Sequence, residues 1–500
     1  MNIMKKKCFK IGVSSIALVI TYTLSSCGRV TSFIEYTNLL KDNDSYETIN
    51  GTNYVKYGSY SPITYKDING SNRTQETFQD VFRYYDDSNK FRGLNCLEST
   101  GTQKLLVVPV SFDDSPFKNE TQAKVNIQNA FFGDSSINAF ESVASYYNKS
   151  SYGKLVLTGE VSNIFHTSVK YNDIKNSSNT LYIDKIYNEV VEFVKETISD
   201  LASFYPKGNQ EYGLPIYMVY SAPNSDDSGS IFWAYTKNEP DIFYSWTSID
   251  MLNTNRKNVS DAHVLIHETG HLFGLQDYYP ETGKYSPTGK VDMMDYSLGD
   301  HTSYSKMLLN WTRPYHVTGT TTIELKSFET SGDVIILNDN WNKTAMDEYI
   351  ALEYYTPTNL NNFDVKYGNT DGTNQYRLMS EPGIKIYHVD SRLGYYSIRT
   401  GVSAYIGEDI PTNAYKVGIA NSNHVIFRDN PLYQLLQKGE TNTFISGGVA
   451  SNNELFKKGD SFGKTTFKDY TFHTGEKLGY TITIKDISTN KATIEITKIN

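Results

Sequence analysis

The hydrophobic and polar positions of this chain fall into distinct regimes. Ile11 to Leu24 is a mostly apolar run behind Lys5, Lys6 and Lys7. It is too short for a comfortable membrane span but has the length of a signal-peptide core. From Arg29 to about Thr100 the chain is polar, with turn clusters at Asn50-Gly51 and Asn69-Gly70-Ser71-Asn72. That stretch reads as a linker followed by a small extension. Periodic structure begins at Lys104. Leu105 to Val110 is a continuous apolar run of buried-strand length, and Thr121 to Phe132 and Phe140 to Lys149 read as helices. Lys154 to Val161 alternates like a strand. Leu181 to Phe204 carries Ile183, Ile186, Tyr187, Val190, Val194 and Ile198 at helical spacing, and Leu214 to Tyr220 reads as a strand.

After about Thr318 the pattern becomes one of short β-rich runs divided by turn residues. These are Thr321 to Leu325, Asp333 to Leu337, Tyr349 to Tyr355, Ile384 to Val389, Tyr480 to Ile487 and Lys491 to Ile499. The expectation is an α+β chain with a leader (1–26), a polar linker and extension (27–100), a mixed α/β unit (101–317) and a β-rich C-terminal unit (318–500) resembling a β-sandwich. No internal repeat is visible, and no later run reaches the ~18 apolar residues of a membrane-spanning helix.

Composition changes this picture little. The chain has 500 residues, 39% of them aliphatic or aromatic, which suffices for more than one core. The net charge of −9 carries no concentrated basic face and excludes nucleic acid as a partner. The cysteines are Cys8, Cys27 and Cys96. With Cys8 in a leader and Cys27 modified, Cys96 is alone and no disulfide framework forms.

The candidate chemistry lies in one stretch, from Ser260-Asp261 through His263 to Asp277. Ser260 or a neighbour can cap a helix, and Asp261 suits its positive end. His267 and His271 are four apart, so both imidazoles leave the same helical face and can reach one zinc ion. Glu268 adjoins the first ligand, where a general base acting on water belongs. Gly274 follows His271 by three residues, where a left-handed glycine would reverse the chain and return Asp277 as an oxygen ligand. Three protein ligands leave the open position that a catalytic zinc requires. His263, one turn earlier, reads as a solvent-facing or supporting residue. The bland alternative is an amphipathic helix with surface histidines.

Downstream, Val291-Asp292-Met293-Met294-Asp295-Tyr296-Ser297 resembles the methionine turn of metzincin-type proteases. On that resemblance Met294 packs beneath the ligands as a structural residue, and Tyr296 leans toward the metal as a catalytic aid to the oxyanion; plain core filling is the other reading for both methionines. Leu24-Ser25-Ser26-Cys27-Gly28 resembles the bacterial lipoprotein box, which implies a lipid on Cys27 and anchoring to the cell membrane, facing outward. An ordinary secretory signal with an incidental cysteine is the alternative.

Taken together, these residues resemble the immune inhibitor A-like family of bacterial metallopeptidases, whose pattern His-Glu-x-x-His-x-x-Gly-x-x-Asp is met by His267 to Asp277. Leu105 to Phe112, Ser142 to Leu155, Asp292 to Tyr296, Ser305 to Trp311, Glu348 to Glu353 and Gly383 to Asp390 resemble further segments of that family. The resemblance implies a metzincin-like peptidase domain, zinc endopeptidase activity on extracellular proteins and peptides, and often structural calcium. Asp113 and Asp114, or Asp226 and Asp227, are calcium candidates no better than solvated loop carboxylates. A monomer is expected. Two departures stand out: the stretch Pro280 to Lys290 is this chain's own, and Asp295 occupies a place expected to be small.

Some readings remain open at this point. The third ligand could come from Asp292, Asp295 or His301 instead of Asp277. Cys96 could cap the metal as a thiolate or simply be a small buried residue. The whole chain could also be a surface lipoprotein that binds a host protein or glycan through an inactive metallopeptidase fold.

Overall fold

The computed structural model describes residues 53–499, apart from 58–61, 76, 83–94, 176–179, 225–230, 240–241, 253–260, 281–284, 367–368, 372–373, 398–400, 424–429 and 442. The leader, Cys27, Ser260, Asp226 and Asp227 lie outside the described residues. The fold is α+β, with helices and several separate sheets.

The first sheet is built on the strand Gly101–Phe112, whose last eight residues are all buried. Such a strand needs apolar side chains on both faces, as the unbroken run Leu105 to Val110 supplies. Leu155–Val161 and Ile216–Tyr220 flank it in parallel, and Ile242–Ser248 follows in parallel beyond Ile216–Tyr220. Tyr235–Glu239 then pairs antiparallel with Ile242–Ser248 at the edge. On one face Leu106, Val108 and Val110 pack with Ile183, Ile186, Val190 and Val194 of the helix Leu181–Thr197. On the other, Leu105 and Val107 pack with Ile127, Tyr147, Leu265, Ile266 and Leu272 from the helices Glu120–Phe132, Val143–Ser150 and His263–Leu272. Burying each such aliphatic side chain stabilises the fold by roughly 1.5–3 kcal/mol relative to exposure.

One helix is shorter than its periodicity suggests. It stops at Thr197 because Ile198 turns extended, with φ −105°, and tucks its side chain into the core. Phe204, the last residue of the apolar pattern, belongs to a separate 3-10 turn, Leu201–Phe204.

The C-terminal half carries a six-stranded sheet in the order Tyr54–Lys56, Arg313–Val317, Asp333–Leu337, Glu348–Tyr355, Gly383–Asp390, Tyr433–Leu435. It begins earlier than the pattern implied: Arg313–Val317 pairs in parallel with Asp333–Leu337, before the expected boundary at 318. The extension contributes the edge strand Tyr54–Lys56, and its hairpin Ile63–Lys66 with Asn72–Gln75 and the helical turn Phe78–Phe82 bury Ile63, Tyr65, Phe78 and Val81. A four-stranded sheet, Thr321–Lys326, Lys491–Lys498, Tyr480–Ile487 and Ser461–Phe462, shares an apolar core with one face of the six-stranded sheet. The other face, through Tyr349, Ala351, Tyr387 and Val389, joins the same core as the helix His263–Leu272. No helix among the described residues is long and apolar enough to cross a membrane.

Candidate metal centre

The helix His263–Leu272 begins at Ala262, which makes no side-chain cap. Asp261 does the work instead: its carboxylate accepts from the His263 amide at 3.1 Å and pairs with the His263 ring at 2.9 Å. His263 is thereby committed to the helix start.

His267 and His271 present Nε2 atoms 3.0 and 3.2 Å from one oxygen of Asp277. Gly274 makes this possible. Its φ is +90°, and Leu275 donates back to the Gly270 carbonyl at 3.2 Å, closing the helix in a left-handed turn. A Cβ on Gly274 would also lie 3.0 Å from Cys96 Sγ, so the thiol supports the turn from behind and is not among the converging ligand atoms. Gln79 reaches the same turn, donating to the carbonyls of Leu97 and Phe273 at 2.8 Å each.

The donor set itself argues for a cation. His267 Nδ1 donates to the Met293 carbonyl at 2.8 Å, and His271 Nδ1 donates to the Leu275 carbonyl at 2.7 Å. A carbonyl can only accept, so in the neutral ring each Nε2 carries a lone pair. Two lone pairs and a carboxylate oxygen converge on one point, an arrangement that needs protons or a metal between them. Without an ion the protons fill it. Burial alone would lower His271, but the Asp277 charge beside it overrides this and pushes it up to about 9. Burial would raise Asp277, yet His271 and His267 hold its carboxyl well below the usual range.

Glu268 is buried and accepts from Thr236 Oγ1 at 3.0 Å. The same hydroxyl reaches the Glu268 carbonyl at 3.1 Å, so the edge strand Tyr235–Glu239 is fastened beside the glutamate. Burial raises the Glu268 carboxyl above its ordinary value, with the two histidines opposing.

Met294 lies under the helix. A Cβ at Gly270 would meet its sulfur at 2.4 Å, so only glycine there admits this close approach. Asp292 holds the turn, at φ +94°, by accepting from the amides of Met294 and Thr302 at 2.8 Å each and from Thr302 Oγ1, Ser305 Oγ and His301 Nδ1. Asp292 and His301 are therefore spent on the turn, and neither belongs to the converging group. Nor does Asp295, whose carboxylate accepts from Ser286 and Thr288. Asp295 and the stretch 280–290 are thus joined, because Ser286 and Thr288 supply the hydroxyls from which Asp295 accepts.

Burial pushes the Asp295 carboxyl up to about 7, and its second oxygen has no hydrogen-bond partner among the described residues. A carboxyl whose folded pKa lies above its unfolded value near ~3.9 favours folding while protonated, and that contribution drains away as pH rises toward about 7. Asp295→Asn is expected to be more stable than the parent at pH 8, by on the order of 3 kcal/mol, and to match it near pH 4. Urea melts at both pH values check this; parallel stability profiles would rule it out.

Tyr296 is linked to His267 through the ring of Tyr279. Its ring lies 5.2 Å from that of Tyr279, which in turn stacks on His267 at 6.2 Å, and Lys290 sits over its outer face. Tyr279 hydrogen-bonds to Asp277. Tyr279 and Thr236 were missed in the sequence; only the position of Tyr279 two residues past Asp277 could have signalled it. Among the calcium candidates, Asp113 pairs with Lys170 at 2.8 Å and Asp114 receives the amides of Tyr171 and Asn172, so both serve local structure. No protein-family model matches this chain, and no curated protein is similar to it.

Proposed function

We propose that this chain is a zinc-dependent endopeptidase of the immune inhibitor A-like, metzincin type. In that reading a peptidase domain is followed by a β-sandwich, and the chain is lipid-anchored through Cys27 on the outer face of a bacterial membrane. The observation that carries it is the convergence of His267, His271 and Asp277 with Glu268 held alongside by Thr236.

The residues fit zinc: two imidazoles with their Nδ1–H groups already committed, one carboxylate, and, among the described residues, no fourth protein ligand in the group. Bound there, zinc supplies Lewis acidity, acidifying water and polarising a carbonyl. Glu268 takes the proton of an attacking water and later delivers it to the leaving amine. Its burial suits both steps, because a raised carboxyl pKa makes it a better base and a usable acid near neutral pH. Tyr279 steadies Asp277, and Met293 and Leu275 fix the two rings.

A peptide substrate is favoured by the edge strand. Among the described residues Tyr235–Glu239 pairs as a strand only with Ile242–Ser248; Asn95 holds its end at Asn238 and Glu239, and an extended chain would add by main-chain hydrogen bonds along the part around Thr236. That edge runs beside Glu268 through Thr236, which brings an added strand to the water-activating group.

The test is casein hydrolysis by the purified chain with and without a chelator. Activity is expected to vanish with the metal and to return with zinc but not with calcium. A zinc-loaded protein that cuts nothing would overturn the reading and favour the binding module.

A further inference from the structure

A second convergence of metal-ligand atoms lies in the C-terminal half, far from the proposed catalytic group in the fold's connectivity. Glu348 opens the strand Glu348–Tyr355, and His388 and Asp390 close the neighbouring strand Gly383–Asp390. Antiparallel register sets Glu348 directly opposite Asp390 and Ile350 opposite His388. Because side chains alternate, Glu348, His388 and Asp390 share the face that Ile350, Ile384 and Ile386 present to the core between the two sheets. They form its polar end. His473 reaches them from the loop that covers this end, whose Phe472 and Leu478 belong to the same core.

His388 Nε2 lies 2.9 Å from Glu348 Oε1, and His473 Nδ1 lies 3.8 Å from the same oxygen. Asp390 Oδ2 is 2.8 Å from His473 Nδ1. Donors bound tetrahedrally to zinc at ~2.0–2.1 Å stand about 3.3 Å apart, and these separations bracket that value. They resemble the 3.0 and 3.2 Å found in the first group.

The surroundings orient the donors as the supports of a metal site do. Tyr470 bonds His388 Nδ1 at 2.8 Å, turning Nε2 toward Glu348. The amides of His473 and Thr474 fix the Glu348 carboxylate. Arg392 forks onto Asp390 at 2.7 Å and stands 3.7 Å from Glu348, so it balances one of the two carboxylates and leaves one negative charge for a cation. Glu348 and His388 are 2% and 3% exposed and His473 is 18% exposed, so the group is largely closed to solvent, as a structural site is.

We propose that Glu348, His388 and His473 bind a structural zinc ion that fastens the 469–477 loop across the end of the two-sheet core. The only described cysteine, Cys96, is not in a disulfide, so a metal clip would do here what a covalent bridge does elsewhere.

The test uses the full chain with the first group removed by His267→Ala and His271→Ala. The protein is stripped by chelator, reloaded with zinc, freed of excess metal and assayed by elemental analysis. About one zinc per chain is expected to remain, together with a rise in melting temperature on loading. Adding His473→Ala, or the shape-preserving Glu348→Gln, is expected to abolish both. No retained zinc in the chain that keeps this cluster intact overturns the proposal, and that arm requires no mutation in the cluster. In the otherwise unaltered chain, zinc lost with His473→Ala but kept with His267→Ala would support this site while removing the catalytic one.

Discussion

Glu268→Gln should lower kcat/KM for peptide hydrolysis by about 10²–10⁴-fold while leaving bound zinc unchanged. The substitution keeps size and shape, and the Gln carbonyl can still accept from Thr236 Oγ1, which now lies 3.0 Å from the carboxylate. What is lost is the ability to take and return a proton. The ligand atoms of His267, His271 and Asp277 are untouched, so metal content separates a chemical defect from a binding one. Folding should not suffer, since burial already disfavours the charged form of this carboxyl. Full activity in the variant, or loss of zinc along with activity, would remove Glu268 from the role of general base.

Asp292→Ala should be the most damaging single change to stability near the site, costing about 3–5 kcal/mol. One buried carboxylate satisfies two amides, two hydroxyls and the His301 ring, all of which would lose their partner at once. The residue also holds a left-handed backbone, at φ +94°, which alanine tolerates poorly. The damage should spread to metal affinity, because the Met293 carbonyl that fixes His267 is the next residue along. Asn is easier at such a φ and restores one acceptor, so Asp292→Asn should fall between the two. Burial works against the Asp292 charge, but His301 and the donated amides hold its carboxyl below the ordinary value. The stability it confers is therefore present above the unfolded carboxyl pKa and lost as pH falls through the folded one, and the gap between parent and Asp292→Ala should narrow in acid. Denaturant melts measure both; a cost under about 1 kcal/mol would mean the turn is held elsewhere.

The site was legible where its geometry is local. His267, Glu268 and His271 sit on one helix, and Gly274 with Asp277 follows within one turn, so spacing alone carries them. The supports were not legible, because they arrive from distant parts of the chain. Thr236 lies 32 residues before Glu268, on a strand whose sequence Tyr-Thr-Lys-Asn-Glu has no apolar alternation to announce it. Glu348 and His473, separated by 125 residues, meet only through sheet register and a covering loop.

The fold shows the same division. Asp333–Leu337 and Tyr480–Ile487 stand where their apolar patterns put them, and Gly101–Phe112 extends the expected run at both ends. Arg313–Val317 and Tyr54–Lys56 escaped notice because both are polar or aromatic strands that gain their place by pairing. Hydrophobic periodicity reports which residues are buried; it does not report which strand lies next to which.

The core that the two halves share has a practical meaning for anyone who wishes to study residues 101–317 in isolation. Tyr278 and Tyr304 pack on Tyr433 of the far sheet, and the Tyr433 hydroxyl donates to Thr302 in the stretch that receives Asp292. A truncated gene product ending near 317 would carry its side of this core bare to solvent, inviting self-association. Heating the intact chain should instead produce one cooperative melting event, since the largest core is shared between the two halves and ties their separate cores together.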